Sequence, residues 1–127
     1  MSHDARRRLA VADRILHEPD LVEAGAWPRA CTWLIRLALE HALDDYWEIR
    51  RPDVGRANRR AQLLTMARTV DPDLGRHATE LWHQLSRAAH HHAYELAPTA
   101  SELREWHNGV GLVVTALAEN AGFPARR

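Results

Sequence analysis

Arg87 and the three adjacent histidines His90, His91 and His92 are the residues of this chain whose types and spacing come nearest to chemistry. An imidazole titrates near neutral pH, so it can take the proton from a ribose 2′-hydroxyl or return one to a leaving oxygen. A fixed guanidinium stabilises the charge that gathers on phosphoryl oxygens in the transition state. Arg87 and His92 stand five positions apart. Five steps turn a helix by about 500°, so an unbroken helix would hold the two side chains about 140° apart. They converge on one phosphate only if the helix ends before His92, or if two subunits bring their helix ends together. The structural alternative is that imidazoles near a helix C-terminus favour the negative end of its dipole, with one packed as a core histidine.

Nine histidines also invite a metal reading. Helical ligand pairs need three- or four-residue spacing to come within about 2 Å of one ion, and no histidine pair here has it. His77 and His83, and then His83 and His90, are separated by about 9 and 10.5 Å along a helix. Consecutive histidines point about 100° apart and chelate together only where a helix has ended. The expectation is therefore no metal and no cofactor. Its rival is a metal-binding bundle using some of His83, His90, His91 and His107. Ser86 and Cys31 lie in no nucleophile elbow or redox motif and read as packing residues. Gly109-Val110-Gly111 sits inside an apolar helical pattern, where each glycine costs about 0.8–1 kcal/mol relative to alanine. That points to close approach of another helix, from this chain or from a second subunit.

The 17 basic residues balance 17 acidic ones, so the formal net charge is zero and a uniformly basic nucleic-acid binder is excluded. A local patch is not. Every basic residue is arginine, which reflects either a GC-rich genome or a demand for bidentate phosphate ligands. Between positions 50 and 70, Arg50, Arg51, Arg56, Arg59, Arg60 and Arg68 stand against Asp53 alone. Arg51, Arg56, Arg59 and Arg60 are the candidate nucleic-acid ligands. In the alternative, Arg50 and Arg51 complement a helix C-terminus and the rest are solvated. The acidic stretch 40–48 is a further partner for this segment, within the chain or between subunits.

The elements that must position these residues are helical. With 127 residues, 46% of them hydrophobic, the chain reads as one domain over 1–127 with enough apolar surface for a core. Its one cysteine, Cys31, has no partner for an intramolecular bridge. No leader and no run of about 18 apolar residues is visible, so the expectation is a soluble, cytoplasmic protein without membrane contact. The first helix is expected over 4–17, on Leu9, Ala12, Ile15 and Leu16. A second should run from Pro28 to before Pro52, with Ala30, Trp33, Leu34, Leu37, Ala38, His41 and Ala42 inward. Ala57, Ala61, Leu64 and Ala67 suggest a third, closed by Asp71-Pro72. Asp71 caps a fourth, whose stripe is Leu74, Ala78, Leu81, Leu85, Ala88 and His92. After a loop over 93–98, Thr99-Ala100-Ser101-Glu102 forms a capping box for the last helix, with Leu103, Trp106, Val110, Val113, Val114 and Leu117 inward. The fold class is all-α, a four- to five-helix up-and-down bundle.

A helical bundle with an R-x4-H motif late in its penultimate helix, here Arg87 to His92, resembles the HEPN domains. The run 85–99 is similar to an actinobacterial branch of that superfamily, and the resemblance spans residues 28–120. It implies a homodimer whose two motifs meet in a cleft at the interface. It also implies metal-independent endoribonuclease activity in a toxin-antitoxin, defence or RNA-processing system, often beside a nucleotidyltransferase-type antitoxin. By the same resemblance His92 is the acid/base, Arg87 the phosphate-stabilising group and His91 a spare group for proton transfer. The residue after the arginine is often polar in active members, whereas here it is Ala88. Other members only bind nucleotides or proteins. The rival function is thus a non-catalytic interaction or nucleotide-binding module, using exposed tryptophans or the glycine-marked face.

Overall fold

Prolines and cap residues set most of the element boundaries. The computed structural model describes residues 3–22, 25–90 and 96–121, and among them every regular element is helical. In chain order these are α1 (His3–His17), a 3-10 turn (Pro19–Leu21), α2 (Trp27–Arg50), α3 (Pro52–Gly55), α4 (Arg59–Thr69), α5 (Pro72–Ala89) and α6 (Ala100–Asn120). Proline stands in the first turn of α2, α3 and α5, where its missing N–H costs no intrahelical bond. At the start of α5, Asp71 Oδ1 accepts from the N–H groups of Asp73 and Leu74 at 2.8 and 3.2 Å. On α6 the capping box is reciprocal: the Glu102 N–H donates to Thr99 Oγ1 at 3.1 Å and the Thr99 N–H to Glu102 Oε1 at 3.0 Å.

α2 runs against α1, α5 and α6, while α6 closes the group by packing on both α1 and α5. The core they share includes Ile35, Leu39, Leu43 and Trp47 from α2, Leu81 and Leu85 from α5, and Leu103, Val110 and Val113 from α6. Each such side chain contributes about 1.5–3 kcal/mol by leaving water. α4 is an addition to this group, resting on α5 and α3. Three side chains tie α1 down. His107 Nε2 donates to the Leu9 carbonyl at 2.8 Å, Arg104 Nη2 to the Leu16 carbonyl at 3.4 Å, and the Cys31 thiol to the Ala12 carbonyl at 3.7 Å. A carbonyl only accepts, so the His107 proton sits on Nε2. Burial pushes the Cys31 thiol up to about 11, which keeps it protonated and unreactive near neutral pH.

Two expected stripes are rotated in the structure. On α4 the buried residues are Gln62, Leu63 and Met66, while Leu64 is 54% exposed and Ala57 lies before the helix begins. Hydrogen bonds decide that register rather than apolar count. Asn58 caps α4 through the Ala61 N–H at 2.9 Å, and the buried Gln62 amide donates to the Gly55 and Ala57 carbonyls at 3.1 and 3.0 Å. On α2 the fully buried line is Cys31, Ile35, Ala38, Leu39, Ala42 and Leu43, with Trp33 half exposed. α2 has apolar residues on more than one side, so spacing alone leaves its rotation open.

The two glycines of α6 differ. A Cβ on Gly109 would lie 3.0 Å from Leu81 Cδ2 and 3.3 Å from His77 Nε2 on α5, so the expected close approach is made within one chain. At Gly111 a Cβ would meet nothing within 4 Å. Gly111→Ala is therefore expected to stabilise the fold by about 0.5–1 kcal/mol, read as a higher urea midpoint with an unchanged slope. No helix among the described residues is long and apolar enough to cross a membrane.

Candidate functional site

α5 stops at Ala89, two residues beyond Arg87. His90 has left helical geometry, with φ −102° and ψ 28°, and its N–H is shared between the carbonyls of Ser86 and Arg87 at 3.2 and 3.3 Å. The described part of the expected stripe runs to Ala88, and its last member, His92, falls outside the described residues. Arg87 sits exposed in the last turn. His91 and His92 lie outside the described residues.

The arginine segment divides into two kinds. Arg51 makes a bidentate pair with Asp53, at 3.1 Å from Nε and 2.9 Å from Nη2. That hydrogen bonding holds the Asp53 carboxyl below the usual carboxylate range and raises the Arg51 guanidinium. Both groups are open to solvent, so the pair adds little to stability. Arg59 is drawn inward. Its Nη1 donates to Asp44 Oδ1 at 2.9 Å and to Gln62 Oε1 at 2.7 Å, and its Nη2 lies 3.8 Å from Glu40 Oε1. The acidic stretch of α2 and the arginine segment thus meet within the chain, at Arg59. Arg56 and Arg60 are exposed, and no ion pair engages either among the described residues.

Between α2, α4 and α5 lies a cation-aromatic stack. The Trp82 ring has Arg36 at 5.0 Å from its centroid and Arg59 at 5.7 Å, and Arg36 also lies 5.8 Å from the centroid of Trp33. Arg36 Nε is 3.5 Å from Glu40 Oε2. Indole faces attract guanidinium groups by about 0.5–2 kcal/mol each, more when desolvated. The i, i+3 spacing of Trp33 and Arg36 and the i, i+4 spacing of Arg36 and Glu40 are visible in the sequence. The join to Trp82 and Arg59 is not, because it needs α5 and α4 beside α2.

A cleft of about 320 Å³ opens where the start of α2 meets the end of α5 and the chain at 97–98. Arg29, Thr32 and Trp33 line it from α2, and Ala88 and Ala89 from α5. Gly25, at φ +82°, forms another part of the wall. Sequence reasoning missed this cleft, since its two sides are more than fifty residues apart in the chain. Among the described residues no group of three His, Cys, Asp or Glu side chains is placed to hold a metal ion. Of the rival's histidines, His83 and His90 are exposed, His107 Nε2 is occupied by the Leu9 carbonyl, and His91 is outside the described residues. No family model matches the chain, and no curated protein or solved structure does either.

Proposed function

We propose that the chain is a HEPN-like domain that binds and cuts RNA as a homodimer in the cytoplasm, with Arg87 and His92 of both protomers facing one cleft. The observation that carries this reading is the end of α5 at Ala89. An arginine and a histidine five positions apart are kept on different sides only by continuous helix, and continuous helix stops between them. In the reaction His92 of one protomer takes the proton from a ribose 2′-hydroxyl, and the 2′-oxygen attacks the adjacent phosphorus. The P–O5′ bond breaks, and the second protomer's His92 protonates the leaving 5′-oxygen. Arg87 stabilises the charge on the pentacoordinate phosphorus. Side chains supply every proton and charge in this scheme, so no metal ion takes part.

Arg56 and Arg60 offer exposed charge to the RNA backbone, whereas Arg51 and Arg59 are already engaged by carboxylates. A nucleotidyltransferase-type antitoxin is the partner that this reading implies. Incubation of purified full-length protein with single-stranded and structured RNAs in excess EDTA is the test. The expected products carry 2′,3′-cyclic phosphate and 5′-hydroxyl ends. RNAs that all stay intact, with and without added metal, remove the enzymatic reading.

A further inference from the structure

We propose that the cleft between the start of α2 and the end of α5 receives one unpaired base of a single-stranded RNA, stacked on Trp33 and admitted because Ala88 is small. The inference rests on the RNA reading for the identity of its ligand and on the cleft's geometry for its place. Trp33 is 47% exposed and lines the cleft, an unusual state for the largest side chain type in a bundle. Arg36 lies 5.8 Å from the centroid of the Trp33 ring and is not among the residues lining the cleft, so the cation–aromatic contact helps to hold the indole in place. A fixed aromatic plate is the usual receptor for an unpaired base, because every base has a π face to stack.

Size and lining select the same ligand. At about 320 Å³ the cleft lies at the lower end of ligand pockets, near 300 Å³, which suits a base and its sugar and excludes a duplex. Its walls are largely short side chains, Gly25, Ala88 and Ala89 among them, which leave room for a flat ring. Arg29 is a cation on the same wall. The start of α2, at Ala26, has no side-chain cap, so its positive dipole end also faces this region. Ala88 follows Arg87 directly, so a base held here places its strand beside Arg87.

The full-length chain, isotopically labelled, provides the test. The indole N–H resonance of Trp33, assigned by its loss in Trp33→Phe, is followed as adenosine or uridine 5′-monophosphate is added, and then a short unpaired 2′-O-methyl RNA. That RNA binds without being cut, which separates this site from catalysis. The expected result is a selective shift of Trp33, absent in Ala88→Leu. Affinity for the RNA should fall about tenfold in Ala88→Leu and Trp33→Ala and be retained in Trp33→Phe. Leucine is a strong helix former, so Ala88→Leu fills the cleft without weakening α5. If the RNA binds all variants equally and Trp33 does not shift, the cleft proposal is overturned while the RNA reading stands. If the mononucleotides move Trp33 but no RNA is bound or cut, the base site stands and the RNA reading falls. Silence at Trp33 with every probe overturns the site.

Discussion

His92→Ala is expected to slow RNA cleavage by about 10²–10⁴-fold, the usual contribution of one positioned acid or base. Arg87→Ala should fall in the same range, since a guanidinium aimed at developing charge is worth as much as a proton-transfer group. Arg87→Lys should recover little, because an ammonium lacks the planar fork that holds two phosphoryl oxygens together. His91→Ala, the spare candidate, should slow the reaction far less. Arg87 is exposed at the end of α5, so its removal opens no cavity and the melting temperature should not move. Single-turnover rates on end-labelled RNA, beside binding of the uncleavable 2′-O-methyl strand, separate loss of chemistry from loss of affinity. A His92→Ala protein that cuts as fast as the parent would return the histidine run to its structural role at a helix end.

Gly75→Ala should be the most damaging methyl group in the molecule. A Cβ built on Gly75 lies 2.5 Å from Ala67 Cα and 2.6 Å from both Ala67 Cβ and Ala67 N. The obstacle is backbone, which does not rotate away as a side-chain tip does. α5 and α4 must separate, and α4 has α5 as its main support. The intrinsic helix gain of alanine over glycine, about 1 kcal/mol, is smaller than the overpacking cost, which we set at about 3 kcal/mol net. Thermal unfolding should then begin roughly 10 °C lower. The sign opposes that expected at Gly111, where the same substitution in another helix meets open space. Equal melting temperatures for Gly75→Ala and the parent would mean that α4 does not lie against α5 at this point.

The capping residues show how far local chemistry reaches. Asp71, Thr99 and Glu102 satisfy free N–H groups within three residues of themselves, so the ends they mark are legible without any knowledge of neighbours. The same holds for prolines 28, 52 and 72, whose geometry is their own. Periodicity was a weaker guide. Leu64 belongs to the expected stripe of α4 yet faces solvent, because the buried Gln62 amide finds two carbonyls of the preceding turn. An apolar count does not register a polar residue that is buried with all its bonds made. The arginine segment was legible as charge but not as function. Arg59 and Arg60 are neighbours in sequence, and only one of them meets Asp44.

By itself the sequence determined that the described residues form helices and where most of those helices begin, and it singled out Arg87 and His92 only as candidates. Those are consequences of backbone geometry and short-range hydrogen bonding. Tertiary structure decided which face of α2 and α4 turns inward, why residue 75 is glycine, which arginines keep their charge available, and that Trp33 and Ala88 share a cleft. Each of those depends on groups far apart in the chain arriving within a few ångströms, and that distance is set by packing rather than by spacing.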